Sequence, residues 1–190
     1  MKDAILYKIL RPLTSGFYKV FLTPKIIGIE NIPNSGRVVL AGNHTSNFDA
    51  PLLMCATKRC VHFLAKKELW DGPKKIIFAN MGLIPVDRRN KDGNALIMAE
   101  RYLKNEKIIG IFPEGTTEKT GKMLKFKKGA VKMAIDTDSA IVPFVICGKY
   151  RLFSKNLMIK FLKPIKCYGD VKEETERLMN IIREERERLK

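Results

Sequence analysis

Short apolar runs recur along the chain, and most are followed by a polar turn and then by an amphipathic helical stretch. Runs of this length between turn residues are typical of buried strands. Because strands that alternate with helices form parallel or mixed sheets covered by helices, the sequence predicts an α/β fold. Pro143, inside the last run, predicts that its strand lies at an edge or carries a bulge. The five clearest runs are residues 26–29, 37–41, 61–65, 107–112 and 140–147.

The chain is long enough for one domain, and nothing in it suggests two. It has 190 residues, of which 45% are hydrophobic, and it shows no internal repeat, low-complexity linker or change in composition. A chain of this length buries a sizeable core. We therefore expect a single α/β domain over residues 26–190, with a mostly parallel or mixed β-sheet flanked by helices. An amphipathic helical segment over residues 1–25 is expected to precede it.

Apolar residues in this amino-terminal segment recur with helical spacing, and basic residues lie between them. Five of its residues are basic and one, Asp3, is acidic, while Pro12 predicts a kink and Gly16 a break. A basic amphipathic helix can lie in the interface of an anionic membrane, but a helix packed on the core has the same periodicity. Both interpretations stay open. No apolar run has the about 18 residues of a membrane span, and no signal peptide is evident, so any membrane contact is expected from one side.

The formal charge of +16 limits the classes of partner. Such a surface attracts nucleic acid, anionic lipid, an acidic protein or an acidic small molecule. No nucleic-acid-binding signature is present, and aromatic residues do not alternate with the basic clusters, so nucleic acid is not expected. The four cysteines form no C-x-x-C pair and there are two histidines, which argues against a metal site and favours reduced thiols in a cytosolic chain. One histidine, His62, lies inside an apolar run and is expected in the core.

The strand over residues 37–41 leads into a turn that contains His44 and Asp49. On a continuous helix, residues five apart point about 140° away from each other, so the two side chains meet only if the chain bends. The polar residues 45–47 permit that bend. A histidine held by a carboxylate can act as a general base, although a histidine before a helix can equally be a capping or hydrogen-bonded loop residue.

Charged and polar residues also follow two other strand ends, where ligands bind in open α/β sheets. Arg88 comes after the apolar residues 81–86, and its planar guanidinium matches phosphate oxygens, although a solvated basic turn has the same composition. A turn with a carboxylate, a glycine and hydroxyls occupies residues 113–117. Lys128 lies at the start of a predicted helix, where anions are favoured.

Four stretches, taken together and in this order, resemble the conserved blocks of the glycerolipid acyltransferases. A single H-x-x-x-x-D is weak evidence, but four blocks in the family's order and spacing over residues 26–150 are specific. The resemblance is greatest to the bacterial group that acylates 1-acyl-glycerol 3-phosphate. The stretches are Asn43-His44 through Asp49, Gly82 through Arg88, Phe112-Pro113-Glu114-Gly115-Thr116 and Ile141-Val142-Pro143, and the family's Phe-Lys-x-Gly continuation is present at residues 126–129.

The resemblance implies transfer of a fatty acyl group from acyl-CoA or acyl-carrier protein to a glycerol phosphate hydroxyl, with no cofactor and no metal. It implies His44 as general base, Asp49 as the residue that orients it, and Arg88 as the phosphate ligand. The product would be phosphatidate, for phospholipid biosynthesis by a peripheral protein on the anionic cytoplasmic face of the cell membrane. The other expected contacts are Glu114, Gly115, Thr116 and Lys128 with the acceptor, and Val142 and Pro143 on the acyl-donor side.

One position departs from the family pattern. The third block usually continues Gly-Thr-Arg, and here Thr117 stands in the place of that arginine. Either another basic residue supplies the charge, or the acceptor is a different one, such as glycerol 3-phosphate or a lysophospholipid. The basic candidates are Arg89, Lys119, Lys122 and Lys128.

Two other classes of function stay open. A hydrolase would need a nucleophile, for which Ser46 and Cys55 are candidates, but neither lies in the G-x-S-x-G context of hydrolases. A non-catalytic lipid-binding protein on the same fold is the second class, because fold does not determine function. The intact pair of His44 and Asp49 argues against it.

Overall fold

The structure, a computed structural model, describes residues 5–70, 75–87, 93–117 and 122–189. Within these ranges the chain forms six α-helices and seven strands. The helices are α1 Ile5–Phe17, α2 Asp49–Ala56, α3 Lys75–Asn80, α4 Asn94–Lys104, α5 Gly129–Asp136 and α6 Val171–Arg188. The strands are β1 Lys25–Ile27, β2 Val38–Gly42, β3 Val61–Lys66, β4 Ile84–Val86, β5 Ile108–Ile111, β6 Ala140–Cys147 and β7 Met158–Phe161.

All seven strands belong to one mixed sheet in the order β1-β7-β6-β2-β5-β3-β4. The strands from β6 to β4 in that order run parallel to one another, whereas β7 is antiparallel to β6 and parallel to β1. β2 lies between β6 and β5 and is buried along its whole length, which explains its unbroken apolar sequence. The predicted α/β fold with a mixed sheet flanked by helices is confirmed.

Pro143 lies in an interior strand, so the predicted edge position is wrong. β6 pairs with β2 on one side and with β7 on the other. The Pro143 carbonyl accepts a 2.8 Å hydrogen bond from Leu162 N, and β7 has already ended at Phe161. The N–H that proline lacks therefore falls where the antiparallel ladder stops, so its loss is tolerated. The parallel ladder with β2 continues through Pro143 without a bulge.

Side chains on the two faces of the sheet form two cores. Successive residues of a strand point to opposite faces, so Leu40 of β2 contributes to one core and Val39 to the other. The first core lies between the sheet and the helices α1 and α2, and it includes Phe144 and Phe161. The second lies between the sheet and the helices α4, α5 and α6. The turns that follow β2 and β5 leave the carboxyl ends of neighbouring parallel strands, so they lie at the same edge of the sheet.

The amino-terminal segment packs one face on the domain and exposes the other. α1 continues directly into a π-helix over Tyr18–Leu22, so the predicted break near Gly16 is wrong; packing on α2 overrides the low helix propensity of glycine. On the inner face, Tyr7 is buried and its hydroxyl accepts a 3.2 Å hydrogen bond from Val61 N. Among the described residues, no helix is both long and apolar enough to cross a bilayer. The exposed apolar residues of the outer face are Ile5, Ile9, Leu13, Phe17, Val20 and Phe21.

Candidate active site

A buried carboxylate organises the turn between β2 and α2. Asp49, the first residue of α2, is fully buried. Its Oδ2 accepts hydrogen bonds from the backbone N–H groups of Thr45, at 2.6 Å, and Ser46, at 2.8 Å. Its Oδ1 accepts from the Thr45 hydroxyl at 3.0 Å and from the Tyr150 hydroxyl at 2.5 Å. A buried carboxylate needs such partners for its oxygens, and these bonds hold it in one orientation.

His44 lies beside this carboxylate, because the turn bends at the polar residues 45–47. His44 Nδ1 is 2.8 Å from Asp49 Oδ2. Since the carboxylate accepts the Nδ1–H, the contact selects the tautomer whose Nε2 is the proton acceptor. The imidazole stacks on Phe112, with ring centroids 4.1 Å apart and an angle of 14° between the planes. The dyad thus presents one basic nitrogen in a fixed orientation.

Glu114 links the His44 backbone to the segment that precedes α5. Its side chain is buried, and its Oε1 accepts a 2.8 Å hydrogen bond from His44 N. Its Oε2 accepts a 2.8 Å hydrogen bond from Leu124 N. Both carboxylate oxygens therefore bind backbone amides, and Glu114 acts on His44 by holding the backbone of the turn.

Gly115 leaves room for a lysine ammonium against the turn after β5. Its φ of 73° lies in the region that favours glycine, and a Cβ at this position would lie 2.7 Å from Lys127 Nζ. The backbone N–H of Lys127 donates a 2.9 Å hydrogen bond to Pro113 O, which holds the lysine there. Sequence reasoning pointed to Lys128 and missed Lys127, although the Phe-Lys-x-Gly pattern at residues 126–129 is a signal that could have identified it.

A cavity of about 520 Å³ lies beside His44. Its polar lining includes His44, Asp87 and Lys127. Most of the remaining wall is apolar. A cavity of this size with a few convergent polar groups suits an extended apolar ligand with one polar end. The main apolar residues of the wall are Leu64, Val86, Leu96, Ile111 and Met133.

The basic residues predicted to bind phosphate differ in their surroundings. Arg88 lies outside the described residues, but Asp87, immediately before it, lines the cavity. Lys128 lines a separate pocket of about 190 Å³, together with Lys125 and Lys172. Lys127, one residue away, is the lysine of this segment that lines the cavity with His44. Of the other candidates, Arg89 and Lys119 lie outside the described residues and Lys122 is exposed.

The residues expected on the acyl-donor side are buried inside β6. Val142 lies opposite Leu40 of β2, and Pro143 lies opposite Ala41. Asn43, the residue before His44, exchanges hydrogen bonds of 2.9 and 2.8 Å with the backbone of Ile146. β6 is therefore linked to the dyad directly through Asn43, and Val142 and Pro143 contact the site only through β2. Thr116, after Gly115 in the third block, is exposed.

The two candidate nucleophiles of a hydrolase have other surroundings. Ser46 Oγ accepts a 3.2 Å hydrogen bond from Phe48 N within the turn. Burial raises the pKa of the Cys55 thiol to about 11, so it is protonated at neutral pH. The surroundings of Ser46 and Cys55 disfavour a hydrolase with a serine or cysteine nucleophile.

The second histidine lies in the core, away from the dyad. His62 is buried, as predicted, and its Nδ1 is 2.8 Å from Gly82 O.

Fold and site together define a class of protein: an α/β domain that holds a carboxylate-oriented histidine beside an apolar cavity. Residues 23–147 match the family model described as Acyltransferase. The chain belongs to the acyltransferase family, and the resemblance given by the four blocks is confirmed.

Individual relatives agree with this assignment. Over 137 residues the chain is 36% identical to the 1-acyl-sn-glycerol-3-phosphate acyltransferase of Borreliella burgdorferi, an alignment that covers 70% of this chain and 54% of the relative. Over 171 residues it is 29% identical to the human 1-acyl-sn-glycerol-3-phosphate acyltransferase alpha, covering 84% of this chain and 60% of the relative. The chain thus spans little more than half the length of these two curated relatives.

A solved structure matches most of the fold. The crystal structure of the 1-acyl-sn-glycerophosphate (LPA) acyltransferase PlsC from Thermotoga maritima superposes with a TM-score of 0.76 at 25% sequence identity. The match covers 96% of this chain and 80% of that chain. The similarity therefore extends beyond the residues matched by the family model.

Proposed function

We propose that the protein transfers a fatty acyl group from an acyl thioester to the free hydroxyl of 1-acyl-glycerol 3-phosphate, giving phosphatidate for phospholipid biosynthesis. The observation that carries the proposal is the dyad of His44 and Asp49 beside an apolar cavity, in a chain of the acyltransferase family. The names of the three similar proteins support this acceptor. The proposed enzyme is a 1-acyl-sn-glycerol-3-phosphate O-acyltransferase.

His44 is the proposed general base. Its Nε2 accepts the proton of the acceptor hydroxyl while that oxygen attacks the thioester carbonyl and the new C–O bond forms. The C–S bond then breaks, and the proton passes from His44 to the departing thiolate. Proton removal in the transition state contributes about 10²–10⁴-fold, and Asp49 stabilises the imidazolium that forms. The acyl group passes directly between substrates, which agrees with the surroundings of Ser46 and Cys55.

Arg88 and Lys127 are the proposed ligands of the acceptor phosphate. Asp87, immediately before Arg88, lines the same cavity as Lys127 and His44. Because Thr117 lacks the positive charge that the family usually has at its position, Lys127 and Arg88 carry the phosphate contacts in this proposal. In this proposal the third block shapes the phosphate subsite: the Glu114 carboxylate holds the His44 amide, Gly115 leaves room for Lys127, and Thr116 continues the turn.

The acyl chain is proposed to occupy the apolar part of the cavity, with its carrier outside. The carrier is acyl-CoA or acyl-carrier protein, and both are anionic. Lys125, Lys128 and Lys172 surround the second pocket and offer positive charge to either carrier. Val142 and Pro143 support this side of the site through β2.

Membrane binding is proposed to be peripheral, at the cytoplasmic face of the cell membrane. The exposed apolar face of the amino-terminal segment is accompanied by the exposed residues Lys8 and Lys19. An amphipathic helix of this kind lies in the interface with its apolar face inserted. Each basic residue near anionic lipid adds about 1 kcal/mol.

A matrix of donors and acceptors tests the proposal. Acyl-CoA and acyl-carrier protein are each combined with lysophosphatidate, glycerol 3-phosphate and a lysophospholipid. We expect transfer to lysophosphatidate that His44→Ala abolishes in a protein still folded by circular dichroism. Asp49→Asn should lower kcat more than it raises KM, because a base and the residue that orients it act mainly in the transition state.

Each other result of the matrix has a definite meaning. Transfer only to glycerol 3-phosphate or to a lysophospholipid would replace the proposed acceptor and leave the dyad in place. Turnover near the parental value in His44→Ala would refute the general base. No transfer in any combination by the folded parent would favour the non-catalytic lipid-binding protein.

A further inference from the structure

The loop that follows β6 exposes two large apolar side chains beside the amino-terminal segment. Leu152 is 60% exposed and Phe153 is 73% exposed. The backbone N–H of Phe153 donates a 2.5 Å hydrogen bond to Phe21 O, and the centroids of the two rings are 5.7 Å apart. Phe21 in turn contacts Phe17, with ring centroids 5.1 Å apart. The loop therefore continues the exposed apolar face of the amino-terminal segment.

The backbone of Phe153 is strained in the conformation that exposes its ring. Its φ is 59°, a region that bulky residues rarely adopt. Glycine and asparagine are the residues that usually occupy it. A strained residue that projects an aromatic ring into solvent adds little to the core, and backbone strain of this kind is typical of binding sites.

The residues around Leu152 and Phe153 are basic. Residues 148–155 include Lys149, Arg151 and Lys155 and no acidic residue. All three cations are exposed. Apolar side chains flanked by cations suit an anionic bilayer. The apolar side chains insert at the boundary with the acyl chains, and the anionic headgroups attract the cations.

We propose that residues 149–155 form a second membrane-contacting element, which inserts Leu152 and Phe153 into the same anionic bilayer as the amino-terminal segment. This inference rests on the membrane association proposed above. Because the apolar surface around Phe21 is continuous, both elements can contact the same flat membrane surface. The positive charge of the loop favours a membrane with negative charge.

Both membrane-contacting elements are hydrogen-bonded to the catalytic turn, which we define as residues 43–49, from the end of β2 to the first residue of α2. Tyr150, in the loop, donates to Asp49 Oδ1 at 2.5 Å. Tyr18, in the π-helix, donates to Phe48 O at 2.8 Å. Docking on the bilayer therefore places the dyad at the level of the lipid headgroups, where a lysophosphatidate presents its free hydroxyl.

The test measures binding to vesicles made of equal parts phosphatidylglycerol and phosphatidylcholine. The test variant carries Leu152→Ser and Phe153→Asn, and the control carries Ile97→Ser and Tyr168→Ser, at residues that are 55% and 68% exposed elsewhere on the surface. Because asparagine suits a positive φ, the test variant is expected to fold at least as stably as the parent. Its vesicle affinity is expected to fall about tenfold. The control is expected to stay within about twofold of the parent.

A second measurement reports the location of residue 153 directly. Phe153→Trp adds one fluorophore to a chain whose single tryptophan is Trp70. Vesicles of the same composition with brominated acyl chains should quench the variant more strongly than the parent. Absence of additional quenching, or an affinity of the test variant equal to that of the control, would overturn the inference.

Activity separates this inference from the proposed function. The test variant is expected to retain parental turnover on a short-chain, water-soluble lysophosphatidate and to lose turnover on lysophosphatidate presented in the vesicles. Loss on both substrates would place Leu152 and Phe153 in the catalytic structure and overturn the inference. If the parent turned over neither substrate, the proposed function would fail, and vesicle binding would still decide whether the loop contacts the membrane.

Discussion

At the residue scale, the Tyr150 hydroxyl connects the catalytic turn to a segment 101 positions away in sequence. Burial, and then the Asp49 carboxylate, raise the pKa of Tyr150 well above its ordinary value, so the hydroxyl remains a donor throughout an assay. A hydrogen bond to a carboxylate stabilises its charge and weakens its attraction for another proton donor. Tyr150 is therefore a positioning residue, which holds the Asp49 carboxylate in the orientation that contacts His44.

Replacing Tyr150 with phenylalanine should lower kcat about tenfold and leave the KM values of both substrates nearly unchanged. The variant removes one of the hydrogen bonds that hold the Asp49 carboxylate, and a group that orients a base acts mainly in the transition state. A hydrogen bond to a charged group contributes about 1.5–3 kcal/mol, and loss of about half of it in the transition state gives this tenfold change. Tyr7→Phe, at another buried tyrosine, should lower thermal stability and leave kcat unchanged. An equal fall in kcat in both variants would contradict the positioning role.

Lys127→Met should raise the KM for lysophosphatidate about tenfold and leave the KM for the donor unchanged, because it removes a charge-assisted contact to phosphate. Lys128→Met is the matched control, since Lys128 lines the separate pocket. Thr117→Arg, added to Lys127→Met, should restore part of the affinity by returning the family's usual cation. Initial rates over a range of acceptor concentrations measure these effects. The assignment fails if both lysine variants raise the acceptor KM equally.

Sequence distance explains which of these residues could be predicted. His44 and Asp49 are five positions apart around a polar bend, so the local sequence permitted their contact and the resemblance to the family assigned their roles. Lys127 lies against Gly115, and Tyr150 against Asp49, only because separate strands and turns converge after folding. For Arg88, the role in phosphate binding remains a prediction from the resemblance.

At the scale of elements, the amino-terminal segment has one face packed on the domain and one exposed face. The helical period alone could not show which apolar residues belong to which face. Ile9, Leu13 and Phe17 are exposed, whereas Leu10 is half-buried. Changing the three exposed residues together to serine should reduce flotation with anionic vesicles by more than about 100-fold, since each buried apolar side chain contributes about 1.5–3 kcal/mol.

Leu10→Ser is the control for that triple variant. It should lower the melting temperature, because its side chain is half-buried against the domain, and it should leave flotation nearly unchanged. Flotation of the triple variant at the parental level would show that charge alone retains the protein on vesicles.

The elements of the sheet were largely predictable because the buried strands are short apolar runs. The direction of β7 was harder to predict from the sequence. A parallel strand next to β6 would need a crossover connection, usually a helix, and the segment between β6 and β7 contains none. The π-helix at Tyr18–Leu22 also has no local signature. Its geometry places Tyr18 where the hydroxyl reaches Phe48 O, and only the packed structure reveals that contact.

At the scale of the whole molecule, the formal charge of +16 should add a long-range attraction to the proposed insertion of apolar side chains into an anionic bilayer. Raising the salt from about 0.1 M to about 1 M shortens the screening length from about 10 Å to about 3 Å. Binding to vesicles that contain phosphatidylglycerol should therefore weaken at least about tenfold. Vesicles of phosphatidylcholine alone should bind the protein less and show little dependence on salt. Equal salt sensitivity with both lipids would contradict this attribution.

The edge of the sheet has a consequence for the order of events during synthesis. β1 is the first strand of the sheet to be made, yet Lys25 pairs with Met158 of β7, which leaves the ribosome on the order of ten seconds later. Until then the sheet lacks β7, and the first core, which the sheet forms with α1 and α2, is incomplete because it includes Phe161 of β7. With the membrane binding proposed above, a nascent chain would reach the bilayer before Tyr150 is in place to hold Asp49, and the domain would complete its folding at the proposed site of its substrate.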